Sequence, residues 1–489
     1  MHKLSALEIK ELFIAGKISA LEIAKHTLSR IATFDDQVGS FLEIHEDRLI
    51  RKAKELDAKK QAGNPLGLMA GIPVAIKDNL HIKGEITTCA SKFLVNYRAP
   101  FDASVCKFLE DEDALLVGKT NLDEFAMGSS TETSAFKKTK NPWNLSCTPG
   151  GSSGGSAAAV SARLCPLSLG SDTGGSIRQP AAFTGIVGFK PTYGRVSRFG
   201  MVAFASSLDQ IGPFATTVSD ASLLMEAISK PCPHDATHLQ QPAANFLSKL
   251  VPHLKGVKIG VPWHFLNELN KESKQNFLSS VEIFKFLGAE ILEVDLDLLK
   301  YSIAVYYVLA TAEASTNLAR FDGIRYGVRS PRATKLDEVY EFSRQDGFGP
   351  EVKNRILLGS YVLSSGYKDA FYKKAQQVRT LMMQKFTEAF TKCSLVLLPT
   401  SPFPAFTLGE IQDPLQMYLQ DIYTIAANLI GAPSISVPSG FSPKNMPLGI
   451  QLIGPQLQDA QVLSAAYAFE QAAPFANKIP PLFDHEVSK

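Results

Sequence analysis

Several absences narrow the possibilities before any motif is read. No window of about 18 uninterrupted apolar residues occurs, so no membrane-spanning helix and no membrane partner are expected. The first stretch, MHKLSALEIKELFIAGK, lacks a long apolar core and is not the Arg- and Ser-rich, acid-poor pattern of a transit peptide, so no targeting segment is expected. The six cysteines, Cys89, Cys106, Cys147, Cys165, Cys232 and Cys393, are widely scattered. They form no CxxC pair and no His/Cys ligand spacing. That argues against a disulfide framework and against a metal, and favours a reducing, cytoplasmic setting. Charge of one sign is also missing: 50 Lys and Arg stand against 48 Asp and Glu, a net of +2, which leaves no electrostatic footprint for nucleic acid. The short basic cluster Lys137, Lys138 and Lys140 reads as a solvated loop.

No Pro/Ser-rich or charge-run linker divides the chain. It reads as a single domain over 1–489, with N-terminal helices to about 62, a catalytic core over about 63–472 and a polar surface loop at about 231–242. Ser5-Ala-Leu-Glu8 and Ser19-Ala-Leu-Glu22 are capping boxes, predicting helices at about 5–15 and 19–33. A charge-rich helix is expected at about 46–62. Short apolar runs at 72–76, 114–117, 164–169, 186–189, 257–261, 289–294, 395–398, 434–437 and 449–453 read as strands. Strands alternating with helical patches give an α/β fold, a mixed β-sheet core covered by helices on both faces.

Two Gly-Ser loops dominate the middle of the chain, at 150–156 and 173–176. By composition the first would pass for a flexible linker. It is bounded, however, by Pro149 and by Ala157-Ala-Ala-Val160, and residues 157–169 read as a packed helix leading into a strand. Two such loops bring serine hydroxyls and bare backbone N–H groups close to one another, which suits a nucleophile with an oxyanion hole. A serine hydroxyl needs a base. No histidine lies near these loops in sequence, and no GxSxG elbow surrounds either serine. Lys77, at the end of the apolar run 72–76, would serve only if burial kept it neutral. Gly118-Lys119-Thr120 fails the phosphate-loop pattern, because Asp113 stands where the first glycine is needed.

GGSSGGS at 150–156, DTGGSIRQPA from 172, GFKPTYGRVS from 188 and GIPVAIKDNL from 71 together resemble the amidase signature family of Ser-Ser-Lys amide hydrolases. The resemblance runs from about Leu21 to about Ala472. It implies Ser176 as nucleophile, Ser152 after a cis peptide bond as the bridging serine, and Lys77 as the base. Ser153 and Ser156 compete for the bridging role; Ser152 is chosen from the family motif, since the chemistry of the residues does not separate it from Ser153. The backbone N–H groups of Thr173, Gly174, Gly175 and Ser176 would form the oxyanion hole. Family members carry GKTN followed by a loop, here 123–130, that borders the substrate pocket and brings Met127, Gly128 and Ser129 to it. Asp113-Ala114 departs from the usual Gly-Ala, which is expected to affect only a turn.

The downstream tracts 313–327, 347–379 and 417–433 resemble the glutaminase subunits of tRNA-dependent amidotransferases. This implies that glutamine is the substrate, with Arg355 for its α-carboxylate, Asp421 for its α-ammonium and Tyr306 in contact; Tyr307 stays an alternative. It also implies two partners, B and C subunits in a heterotrimer. No cofactor is expected in this chain itself. Instead, a partner would use ATP and Mg to amidate misacylated Glu-tRNA(Gln), which it would hold for the most part. Read without the resemblance, Arg355 is an exposed helix residue paired with Glu351. A free-standing amidase for a small aliphatic amide, and a non-enzymatic scaffold, are the competing readings.

Overall fold

The computed structural model describes residues 1–242, 244–267, 269–475 and 477–486. Eleven strands form one sheet among them. In chain order these are β1 (Phe41–Ile44), β2 (Pro73–Lys77), β3 (Leu115–Thr120), β4 (Leu167–Asp172), β5 (Val187–Lys190), β6 (Gln210–Ala215), β7 (Lys258–Val261), β8 (Glu290–Glu293), β9 (Leu395–Pro399), β10 (Ser434–Phe441) and β11 (Pro447–Ile453). Their spatial order is β1-β3-β2-β4-β6-β5-β10-β11-β9-β7-β8. β2 runs parallel to β3 and β4, and β7 parallel to β8 and β9; the remaining pairs are antiparallel. The sheet is therefore mixed.

Side-chain alternation along the strands feeds two cores. Val74, Ile76 and Leu116 join the larger apolar cluster, while Ala75, Leu115 and Val117 join a second one with the N-terminal helices. Helices cover both faces. By the same alternation Lys77 lies on the side of Ala75, where the helix Gly154–Ser161 contributes Ala158 and Ala159.

The N-terminal helices form where capping chemistry places them. Ser5 and Ser19 each accept from the residue three ahead, and Glu8 and Glu22 return the bond, opening helices Ala6–Ile14 and Ala20–Val38. Such a cap is worth about 1 kcal/mol. Carboxylates from elsewhere add to each start: Asp220 accepts from Ala6 and Leu7, and Asp57 from Ala20 and Leu21. They satisfy N–H groups the helices cannot and complement the positive helix ends. The third helix, Glu46–Gln61, also falls where expected.

Two expectations shift. The helix after the first Gly-Ser loop starts at Gly154, not at 157, so Gly154, Gly155 and Ser156 are helical. Gly155 is there for close packing, since a Cβ would lie 2.4 Å from Asn121 O. The following strand is Leu167–Asp172 rather than 164–169. Arg163 turns the chain at φ 57, and Pro166 has no N–H for a ladder. As a result the strand delivers Asp172 to the mouth of the second loop. The Asp113 departure is indeed confined to a turn. At φ 63, Asp113 takes the left-handed conformation that a glycine would adopt, and its carboxylate accepts from Gly67 N and Lys59 Nζ.

Candidate active site

Lys77 ends β2 with its side chain fully sealed from solvent. Its Nζ meets Ser152 Oγ at 2.8 Å, Ser153 Oγ at 2.7 Å, Ser171 Oγ at 2.9 Å and Ser171 O at 3.3 Å. These are neutral oxygens; Asp78, its sequence neighbour, pairs with Lys119 instead, at 2.7 Å. Burial brings the Lys77 pKa down to about 7, against the pull of Asp123, Asp172 and Asp209. A large fraction of the amine is then neutral at physiological pH and has a lone pair to offer.

The two candidate bridging serines differ in their other contacts. Ser153 Oγ donates to Ser171 O at 3.0 Å and accepts from Ser171 N at 3.3 Å. Ser152 Oγ has Lys77 as its one hydrogen-bond partner among the described residues. The peptide bond before it, Gly151–Ser152, is cis.

Ser176 lies just before the short helix Arg178–Thr184, and its carbonyl accepts from Ser153 N at 3.2 Å, joining the two Gly-Ser loops through their backbones. It is 9% exposed, whereas Ser152 and Lys77 are at 0%. Among the expected oxyanion donors one is already committed: Gly175 N–H donates to Asp172 Oδ1 at 2.9 Å. One N–H serves one acceptor well, which leaves Thr173, Gly174 and Ser176 without an acceptor among the described residues.

The downstream residues come to the same loop. A Cβ on Gly174 would lie 2.7 Å from Tyr306 Cζ, and one on Gly175 would lie 2.2 Å from Thr424 Oγ1 and 3.2 Å from Asp421 Oδ1. Tyr306 and Asp421 therefore touch the glycines that precede Ser176. Gly175 also has φ +145, a conformation L side chains rarely adopt. Tyr307 instead stacks on Tyr418 at 3.8 Å, and the Arg355 guanidinium lies 5.3 Å from the Tyr307 ring centroid. Arg355 does make the i,i+4 contact with Glu351, at 2.7 Å, but it is buried, not exposed, and among the described residues only its Nε has a hydrogen-bond partner. Asp421 takes Ser129 Oγ at 2.6 Å on Oδ2, while Oδ1 is buried without a hydrogen-bond partner among the described residues. Burial, with repulsion from Asp172, raises its pKa to about 7. Met127 is buried beside Gly128, whose position is packed against the Asp123 carboxylate.

The sequence reading missed the frame behind the loop. Asp172 and Arg178 pair at 3.1 Å with neither side chain exposed. Arg178 also donates to Thr424 O, Gln451 Oε1 and Asn428 Oδ1, and Asn428 donates to Asp172. Burial would raise the Asp172 pKa, but Arg178 outweighs it and holds the carboxyl below its ordinary value. Gln179 Oε1 accepts from Gly151 N at 3.0 Å and steadies the first loop from the second. A signal was present: Asp172 and Arg178 bracket Ser176 inside one motif, and Asp421, Thr424 and Asn428 recur at helical spacing.

A buried lysine under a row of serines, closed by a glycine-rich turn, defines a class of amide-cleaving enzymes. The chain belongs to the amidase family, whose family model matches residues 22–463. Within that class its likeness is specific. It is 60% identical over 488 residues to the A subunit of the glutamyl-tRNA(Gln) amidotransferase of Protochlamydia amoebophila, covering 100% of both chains. Among solved structures, the A subunit of the glutamyl-tRNA(Gln) amidotransferase of Thermotoga maritima superposes with a TM-score of 0.82 at 42% identity, over 100% of this chain and 98% of that one. A bacterial aryl acylamidase of the amidase signature family gives a TM-score of 0.85 at 27% identity, over 96% of each chain.

Proposed function

We propose that this chain is the glutaminase subunit of a tRNA-dependent amidotransferase, working as one domain in the cytoplasm. It hydrolyses the side-chain amide of free glutamine and supplies the ammonia to a partner. Within a heterotrimer with B and C subunits, that partner uses ATP and Mg to convert misacylated Glu-tRNA(Gln) to Gln-tRNA(Gln). Full-length identity to subunits of that name supports the reading.

The chemistry we assign starts from the contact of Lys77 Nζ with Ser152 Oγ. Ser176 Oγ attacks the amide carbon as its proton passes to Ser152, and the Ser152 proton passes to neutral Lys77. The oxyanion that forms is held by the N–H groups of Thr173, Gly174 and Ser176; one such donor is typically worth about 10²–10³ in rate. Collapse of the adduct breaks the C–N bond, and the proton returns from Lys77 through Ser152 to the leaving nitrogen, releasing ammonia. Water then enters by the same relay, cleaves the acyl-serine ester and frees glutamate.

The observation that carries the substrate assignment is Asp421 Oδ1, a buried carboxylate oxygen with no hydrogen-bond partner among the described residues, set against Gly175. A buried anion of this kind calls for a cation, and the α-ammonium of glutamine is one. Arg355, buried with its terminal nitrogens free of hydrogen bonds among the described residues, suits the α-carboxylate. A small uncharged amide would leave both groups unanswered, which disfavours a free-standing aliphatic amidase. The test is ammonia release from glutamine by the chain alone, with two copurifying partners, and with Glu-tRNA added. Release that needs neither partners nor glutamine's charged head would overturn the assignment.

A further inference from the structure

We propose that Glu43, His45 and Glu85 form a site for a divalent transition-metal ion, separate from the amide chemistry. His45 stands between β1 and the helix Glu46–Gln61, at the N-cap, but its side chain does not cap the helix. The imidazole is 2% exposed, and neither ring nitrogen has a hydrogen-bond partner among the described residues. Its Nε2 points between two carboxylates, 3.5 Å from Glu43 Oε2 and 3.9 Å from Glu85 Oε2. One donor atom from each of the three residues lies within 4.8 Å of the other two.

A histidine beside two carboxylates ordinarily shares a proton with one of them, but at 3.5 Å and 3.9 Å neither carboxylate makes a hydrogen bond to this ring. Arg48 pairs with the far oxygen of Glu85, Nη1 to Oε1 at 3.5 Å, and with Glu110 through Nη2 at 2.5 Å, which leaves Glu85 Oε2 on the His45 side. An imidazole with neither nitrogen hydrogen-bonded among the described residues, grouped with two carboxylates, makes a donor set for a cation. The imidazole favours Zn²⁺ over Mg²⁺ and Ca²⁺, which prefer oxygen ligands. Metal bonds of about 2 Å require only small side-chain shifts from these separations, and water would complete the shell. The partial exposure of the two glutamates, 39% and 23%, provides an entry path.

The role would be structural. The ion would tie the edge strand β1 to the loop at 84–99, which holds Thr88 and Cys89 against Asp78, the residue after Lys77. The test is to titrate chelator-treated full-length chain with ZnCl₂, following heat and thermal unfolding. The expected result is about one Zn²⁺ per chain and a Tm that climbs with Zn²⁺ concentration. Mg²⁺ at the same concentration should leave Tm unmoved. The double variant Glu43→Gln/Glu85→Gln, altered at partly exposed positions that should still fold, should bind Zn²⁺ at least about tenfold more weakly. A wild-type chain that takes up no Zn²⁺, or uptake unchanged in the double variant, would overturn the proposal.

Discussion

Lys77 Nζ touches Ser152 Oγ at 2.8 Å and Ser153 Oγ at 2.7 Å, but only Ser153 is also bound to the backbone of Ser171. Equal distances therefore do not mean equal roles. Moving a proton requires a hydroxyl that can exchange partners, and Ser152 has that freedom. Ser152→Ala and Lys77→Ala should each remove most of the glutaminase rate, and the double variant should be little worse than the worse single, because the two act as a unit. Ser153→Ala should instead appear chiefly as lost stability, about 1 kcal/mol for a hydrogen bond to a buried backbone. Steady-state kinetics beside thermal unfolding separates the two cases; losses that multiply would count against a shared relay.

The pH profile follows from two buried groups. Lys77 must be neutral to accept a proton, and Asp421 must be ionised to hold an ammonium; both pKa values stand at about 7. Each requirement is met above that pH and lost below it. kcat/KM for glutamine should accordingly fall on acidification through about 7 with a limb steeper than one proton. An amide without an α-ammonium should show the shallower, single-proton limb set by Lys77. A glutamine profile that is flat between pH 6 and 8, a window centred on the ordinary operating range for such groups (about 7), would refute both assignments.

Arg355 and Asp421 test substrate identity. A charge-assisted hydrogen bond is worth about 1.5–3 kcal/mol, so Arg355→Ala should lower kcat/KM for glutamine at least about tenfold. Arg355→Lys should rescue only in part, since an ammonium lacks the planar fork. Asp421→Asn should hurt comparably, and none of these changes should affect an uncharged amide. A value for Arg355→Ala within about twofold of wild type, well short of one decade, would remove glutamine as the substrate.

Gly174 tests the packing of the loop itself. A methyl there would meet Tyr306 Cζ at 2.7 Å, closer than real Cβ contacts. Gly174→Ala should displace the loop or the tyrosine, and a misplacement near 1 Å can cost about 10² in rate. Ammonia release should fall with Tm little changed. Wild-type activity in Gly174→Ala would show that Tyr306 does not fix this turn.

Legibility in the sequence followed the range of the interaction. Both capping boxes, and nine of the strands, announce themselves within a few residues. β1 was missed, and so was β6, whose apolar run is interrupted by Gly212 and Pro213. Pro213 is tolerated because it lies opposite Leu169 in β4, while pairing with β5 involves only Phe214 and Ala215. The serines, Lys77 and the two loops were legible as local patterns, but the committed N–H of Gly175 was not: it depends on where the Asp172 carboxylate points. Arg178 and Asn428, 250 positions apart, meet only in the fold.

The central claim is that Ser176 serves the hydrolysis of glutamine and has no part in the amidation of Glu-tRNA. The most direct measurement is amidation of Glu-tRNA by the assembled complex carrying Ser176→Ala, with glutamine or an ammonium salt as nitrogen donor. The account predicts no product with glutamine and undiminished product with ammonium. A correctly assembled variant that also fails with ammonium would contradict it.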